Sequence, residues 1–449
     1  MLSSAYKQVA AVVALCVVVV AGRDEPLAVD PRAFPTRAVT CDALLRPAQE
    51  HTQIQLSYVD INPEAEKTLL MVHGWPSLWH SWKYQIEEFK NDYRLIIPNL
   101  RGFGESTYPG DVQTSGTLED LVNDMVCILE NAGVSKAGCI GHDWGTQVCY
   151  EAARMRPDIF EAVVGTCIPY LPYKGTFVPV KALTMALPKL SYSMFFEKMT
   201  DKAAEELGRD VRRTLRATLR TVDSPPPDAF LRQKDSFLRG WDSVEEIPPI
   251  PFLTSEEEDY WVEQYEKDRF AHTFYFYTHP NRYESWAIAN GQLNHIITAP
   301  ALSILPTEDP VADWAAAAKL MNSVAFVPNL TTKTVAAAHW LQLEKPAEVN
   351  ALMREWFDEW YPPSGAPRPR AVDTDEERAE NERLREEAKE AIMQQYAAQL
   401  FPGAAQAKKD EPAGHAGAVK GEEHVKSEEH VKSEEHVKSE ERVKLKDEL

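Results

Sequence analysis

Five stretches of this chain are predominantly apolar and rich in β-branched residues: TLLMVHG from Thr68 to Gly74, YRLIIPNL from Tyr93 to Leu100, AGCIGHD from Ala137 to Asp143, FEAVVGTCI from Phe160 to Ile168 and APALSILP from Ala299 to Pro306. A strand wetted on one face alternates apolar with polar residues, so runs without that alternation belong to strands covered on both faces. Helical spacing marks the segments between them, such as Leu118 to Asn131 and Gln147 to Met155. Buried strands separated by helix-length segments imply an α/β fold with a mostly parallel central sheet and helices on both faces. The alternation stops from about Tyr173 to Ile297, where Arg, Glu, Phe, Tyr and Trp recur at helical spacing around the irregular DSPPPDAF and EEIPPIPF. That stretch predicts a helical cap over 173–298, inserted between core halves at 23–172 and 299–362. Open sheets of this kind bind ligands at the carboxyl ends of their strands, so the cap is expected to close over that edge.

Both ends of the chain carry address signals. The start, MLSSAYKQVAAVVALCVVVVAGRDE, has Lys7, an apolar run from Val9 to Ala21 and small residues after it. This pattern predicts a signal peptide over 1–22. Its thirteen-residue run is short of the roughly 20 residues a spanning helix needs, so no integral membrane span is expected after cleavage. The last four residues, Lys446, Asp447, Glu448 and Leu449, form a KDEL ending, which implies retention in the endoplasmic reticulum lumen and the KDEL receptor as a partner. Over 363–449 a Pro-rich stretch gives way to a charged segment with Leu384, Ala388, Ile392 and Tyr396 at helical spacing. Repeats of EEHVKS from Glu422, Glu428 and Glu434 follow, and predict a solvated tail.

A formal net charge of -21 repels phosphates and argues against a nucleic-acid partner. The six cysteines, Cys16, Cys41, Cys127, Cys139, Cys149 and Cys167, show no CxxC pair or metal-ligand spacing. No metal site and no disulfide framework are therefore expected. The four from Cys127 to Cys167 lie in apolar contexts and are predicted to be small buried hydrophobes.

The chemistry converges on AGCIGHDWGTQ, Ala137 to Gln147. Small residues two places either side of a central residue let a strand turn sharply into a helix and hold one side chain up at the sheet edge. Gly141 and Gly145 meet that need around Asp143. A competing reading makes Asp143 only the cap of the following helix. Three other segments favour the functional reading. VHGWP, Val72 to Pro76, follows a strand and supplies the Trp75 N–H as an oxyanion donor, to act with that of Trp144; His73, Gly74 and Pro76 are expected to shape the substrate site with it. LPTEDPVAD offers Asp309 to orient a histidine, with Glu308 as a neighbouring rival. AAAHWLQLEKP presents His339 after the Thr331 to Ala337 strand, with Trp340 beside it as a substrate contact. Nucleophile, acid and histidine then follow one another in the chain order of this strand–turn–helix architecture.

With HGWPSLWHSWKYQI, LRGFGEST, GHDWG and HWLQLEKPAEV in view, Gln53 to Tyr361 resembles the α/β-hydrolase epoxide hydrolases, particularly the soluble type. Trp75 stands where phenylalanine is common, and Asn99 where many relatives have aspartate. The resemblance implies an enzyme that converts an epoxide and water to a vicinal diol without a cofactor. A carboxylate can displace at a saturated carbon and leave an ester that water cleaves at the carbonyl. Asp143 would be the nucleophile, with His339, oriented by Asp309, as the base for water. The resemblance further implies two cap tyrosines donating to the epoxide oxygen, matched by Tyr192 in LSYSMFFE and Tyr277 in TFYFYTHP. Tyr260, Tyr265, Tyr275 and Tyr283 are nearby, and cap tyrosines also serve packing. Two rivals remain: a haloalkane dehalogenase with the same Asp and His, and a catalytically inactive hydrolase-fold binding protein of the lumen. Dehalogenases often carry asparagine where this chain has Trp75.

Overall fold

The computed structural model describes residues 26–363. The predicted signal peptide, and the charged tail beyond residue 363 with its KDEL end, lie outside these residues. Eight strands form one sheet: β1 (Thr36–Leu45), β2 (Glu50–Ile61), β3 (Thr68–Val72), β4 (Arg94–Pro98), β5 (Ala137–His142), β6 (Phe160–Thr166), β7 (Ala301–Pro306) and β8 (Leu330–Val335). Their order is β1-β2-β4-β3-β5-β6-β7-β8. The first two pairings are antiparallel and the rest parallel. The expected parallel strands are all present, and β8 is a half-exposed edge. Sequence reasoning missed both β1, whose buried and exposed residues alternate, and β2, whose buried run is confined to its second half.

The missing alternation of the central strands has a direct cause. Leu70 and Val72 of β3 pack with Leu121, Met125 and Ile128 of the helix Leu118–Asn131. Leu69 and Met71, their neighbours in sequence, pack on the other face with Ile86, Phe89, Met353 and Phe357. The helix Leu118–Asn131 starts with a reciprocal cap, Thr117 accepting from the Asp120 N–H while the Asp120 carboxylate accepts from the Thr117 N–H.

Between β6 and β7 the chain forms helices, among them Val180–Ala186, Tyr192–Lys198, Val211–Thr218, Ser255–Glu266 and His279–Gly291, and adds no strand to the sheet. A buried polar cluster ties this layer to the core. The Lys83 ammonium donates to Glu257 (2.7 Å) and to the Leu27 carbonyl (2.9 Å), and the Val29 N–H donates to the other Glu257 oxygen (2.9 Å). His80 gives its Nε2 hydrogen to the Val29 carbonyl and accepts the Trp261 indole N–H at Nδ1. Burial pushes the His80 pKa down to about 4, so it serves this cluster as a neutral ring. Residues 27–29 are thereby held between core and cap.

The cysteine expectation is corrected. Cys41 of β1 is bonded to Cys127 of the helix Leu118–Asn131, and Cys139 of β5 to Cys149 of the helix Trp144–Met155. Cys167 remains a buried free thiol. Spacing could not expose these pairs, because Cys41 and Cys127 are 86 residues apart and meet only through the placing of β1 across that helix.

Candidate active site

β5 ends at His142 and the next helix starts at Trp144, which leaves Asp143 alone to make the turn, at φ 53° and ψ −124°. A non-glycine residue is held there only against backbone strain. The flanking glycines are steric requirements: a Cβ on Gly141 would collide with the Gly145 carbonyl, and one on Gly145 with the carbonyls of Val72 and His73. The Asp143 carboxylate caps no N–H of its helix. Its Oδ1 instead accepts the Trp75 N–H at 2.8 Å. The Trp144 N–H, expected as the second donor, makes no hydrogen bond to that carboxylate, while the Trp144 ring stacks on Phe276 at 5.0 Å.

His339 arrives in the loop after β8. Its Nδ1–H donates to Asp309 Oδ2 at 2.7 Å, and its Nε2 lies 3.6 Å from Asp143 Oδ2. Asp309 is fixed by further donors: the Trp314 indole N–H (2.6 Å) and the Cys167 thiol (3.3 Å) on Oδ2, and the Val311 N–H (2.8 Å) on Oδ1. Burial alone would raise the Asp309 pKa, but His339, the Val311 N–H and the Trp314 indole hold it below the ordinary aspartate value. Burial opposes a charged His339 in turn, yet Cys167, Asp309 and Asp143 raise its proton affinity well above that of free imidazole. The pair that forms is His339 with Asp309, not with Glu308, whose side chain lines the cavity wall.

A cavity of about 270 Å³ opens over this group, lined by Trp75, Asp143, His339, Trp340, Tyr192 and Tyr277, with Thr218, Phe230, Phe237 and Val311 among the others. The rings of Tyr192 and Tyr277 are 5.9 Å apart, and Tyr277 also packs edge-on against Trp75 (5.5 Å) and Trp144 (5.8 Å). Burial, aided by the Asp143 charge, raises both phenol pKa values, so both hydroxyls keep their hydrogens as donors. Of the competing tyrosines, Tyr260 accepts the Trp79 indole N–H and Tyr265 donates to the Ser77 carbonyl. Neither they nor Tyr275 and Tyr283 line the cavity.

Three expected substrate contacts are corrected, since His73, Gly74 and Pro76 do not line the cavity. His73 is fully buried behind it, giving Nδ1–H to the Gly74 carbonyl (2.9 Å) and accepting the Leu100 N–H (3.1 Å) at Nε2. These bonds tie the turn carrying Trp75 to the end of β4, and burial keeps the ring neutral with a pKa of about 4. Trp340 does line the cavity. Sequence reasoning missed Cys167 as a site residue, whose thiol lies 3.2 Å from His339 Nδ1 as well as beside Asp309. It also missed Trp314, although Asp309 and Trp314 stand five residues apart. His142, Cys167 and His339 bring metal-ligand atoms within 4.8 Å of one another. His142 Nε2–H is engaged by the His339 carbonyl (2.9 Å) and His339 Nδ1 by Asp309.

Residues 67–346 match the family described as alpha/beta hydrolase fold. The chain belongs to that family. Among the relatives of this α/β-hydrolase, the "Bifunctional epoxide hydrolase 2" of Rattus norvegicus is 27% identical over 308 residues, which are 68% of this chain and 53% of the rat protein. The chain thus spans about half the length of that curated relative. "Epoxide hydrolase 2" of Siraitia grosvenorii is 28% identical over 318 residues, covering 69% of this chain and 98% of the plant protein. The crystal structure of Epoxide Hydrolase A from Mycobacterium thermoresistibile superposes with a TM-score of 0.59 at 25% identity, over 72% of this chain and 98% of that one.

Proposed function

We propose that this α/β-hydrolase converts epoxides to vicinal diols through an ester on Asp143. The observation that carries the reading is a buried carboxylate on a strained turn, 3.6 Å from a histidine and sharing one cavity with two protonated phenols. The names of the rat, plant and mycobacterial relatives support it. In the first step an Asp143 oxygen bonds to an epoxide carbon, the carbon–oxygen bond of the ring breaks, and the departing alkoxide takes a proton from Tyr192 or Tyr277. In the second, neutral His339 removes a proton from water, which adds to the Asp143 carbonyl. The Trp75 N–H, already on Oδ1, stabilises the oxyanion that forms there. Collapse of that intermediate frees the diol and restores the carboxylate.

A single turnover in heavy-oxygen water tests the ester. Label entering Asp143 before the diol supports the route, and label passing straight from solvent to diol removes it. Halide release from haloalkanes, run alongside without diol formation, would move the chain to the dehalogenases; silence in both assays would favour the inactive binding protein. The same proposal puts the enzyme in the endoplasmic reticulum lumen, retained by the KDEL receptor. The signal at 1–22, the KDEL end and two disulfides support this address. Deleting the last four residues is expected to send the protein into the medium, and unchanged retention would refute it.

A further inference from the structure

Among the described residues eight large apolar side chains are left exposed, and they are confined to three parts of the chain. Val178 and Met185 lie within 162–196, and Leu293 and Ile296 within 285–307, with Tyr283 two residues before it. Leu320, Met321 and Val324 lie within 314–343. None of these three stretches contains an aspartate or glutamate, in a chain where those residues make up 69 of 449. For seven of the eight, apolar exposure and the loss of negative charge therefore coincide, and Tyr283 stands beside Glu284 at the edge.

Contacts stitch the stretches side by side. Phe177 packs edge-on against Tyr283 (5.3 Å), and the Trp286 indole N–H donates to the Gly175 carbonyl (3.0 Å). The Ile297 N–H donates to the Phe326 carbonyl (2.8 Å), and the Ser323 hydroxyl to the Tyr170 carbonyl (2.7 Å). The Lys174 ammonium sits 5.5 Å over the Phe326 ring. Beside Met185, a hollow in the cap is lined by Lys181, Arg232 and Lys234. None of these cations, nor Lys319, has a carboxylate partner among the described residues.

We propose that this face seats the protein on a membrane surface bearing anionic headgroups, with the exposed apolar side chains in the headgroup–acyl boundary and the unpaired lysines and arginine on lipid phosphates. Apolar area and attraction to anionic lipid are the two contributions that hold a protein in the interface without a span. Charge complementarity selects this occupant: the chain as a whole carries a net charge of -21 and is repelled by an anionic surface, and among the described residues it is here that unpaired cations border the exposed apolar side chains. Tyr283 and Trp286 at the margin have the amphipathic rings that favour that depth. Among the described residues no helix is long and apolar enough to cross a membrane, so the contact is peripheral. This inference is independent of the reaction proposed above.

The test is co-sedimentation of the whole mature chain with phosphatidylcholine vesicles, with and without phosphatidylserine. Binding is expected only to the anionic vesicles, and is expected to weaken as salt rises. Leu293→Glu with Leu320→Glu, at side chains 84% and 58% exposed, should lower binding roughly tenfold or more. Lys181→Glu with Lys234→Glu should do the same. Unchanged thermal melting will show that both variants remain folded. Absence of binding, equal binding to neutral vesicles, or full binding by folded variants would each overturn the proposal. So would a vesicle-free dimer dissolved by the leucine substitutions, which would make the face a contact between copies.

Discussion

Removing the two disulfides separately should cost unequal amounts of stability, and the ratio can be worked from their positions. In the chain-entropy account a crosslink restricts the unfolded state more as its loop lengthens. Cys41 and Cys127 are 86 residues apart, which corresponds to about 4.6 kcal/mol at 25 °C; Cys139 and Cys149 are 10 apart, which corresponds to about 2.7 kcal/mol. Cys41→Ala with Cys127→Ala is therefore expected to lose about 2 kcal/mol more than Cys139→Ala with Cys149→Ala. Urea unfolding followed by tryptophan fluorescence would read both losses, and the long-loop variant should show the steeper transition because its unfolded chain expands more. Thiol titration of the denatured mature chain gives an independent reading. Counting both ends, five cysteines run from Cys41 to Cys167, and with two pairs formed only Cys167 should react. Five reactive thiols would refute the pairing, and equal or reversed losses of stability would refute the loop argument. The shorter bridge also straddles Asp143, from the strand before it to the helix after it. Its loss should therefore lower turnover more than loss of the longer bridge, despite the smaller stability change.

Tyr192→Phe and Tyr277→Phe should each slow ester formation by roughly tenfold to a hundredfold, since either phenol can still donate, and the double variant should lose more than either; full ester formation by the double variant in a rapid-quench assay would reject them as donors. Asp309→Asn should destabilise the protein in a defined pH window. The His339 pKa is raised on folding, so its contribution is complete below about 6.5 and is lost as pH rises through the folded value, while the lowered Asp309 pKa makes its own contribution effective only above about 3.9. Urea midpoints of variant and parent should differ most between those limits and converge at alkaline pH; a uniform difference would contradict the ion pair. Glu257→Gln leaves the buried Lys83 without its charge partner and should cost about 3–5 kcal/mol, with recovery on pairing it with Lys83→Met. Thermal melting that is unchanged in the single variant would show the cluster to be dispensable.

The parts of this site that were legible in the sequence are those set by local sterics. Gly141 and Gly145 announce a turn because nothing larger fits, and strands buried on both faces announce themselves by lacking alternation. What depends on chain segments meeting was not legible. Cys167 belongs to β6's end and Asp309 to β7's, so their contact follows from the pairing of those strands and not from spacing. The disulfides escaped for the same reason. His73 looked like a substrate contact because it neighbours Trp75, yet the strand end turns its ring inward onto Leu100. Trp144 shows a related limit: its position after the nucleophile is fixed by the motif, but the resting carboxylate leans toward Trp75 alone.

Placing a carboxylate at the elbow has an electrostatic consequence that a serine there would not have. Asp143 and Asp309 flank one imidazole, at 3.6 and 2.7 Å, in a buried site. Two anions near one ring stabilise its protonated form, so the resting His339 is poorly suited to remove a proton from water. On the proposed route, alkylation turns Asp143 into a neutral ester and removes one of those anions. The proton affinity of His339 then falls at the stage where a base is first needed, while Asp309 still orients the ring. The first step leaves a phenolate at Tyr192 or Tyr277 that must be reprotonated, and a proton leaving His339 balances that demand. A nucleophile that loses its charge when it reacts can thus switch its own histidine from acid to base. Asp143→Asn removes the same charge without any substrate, so it should lower the His339 pKa in the resting protein. An imidazole titration by NMR that is unmoved by this substitution would show that the coupling does not exist.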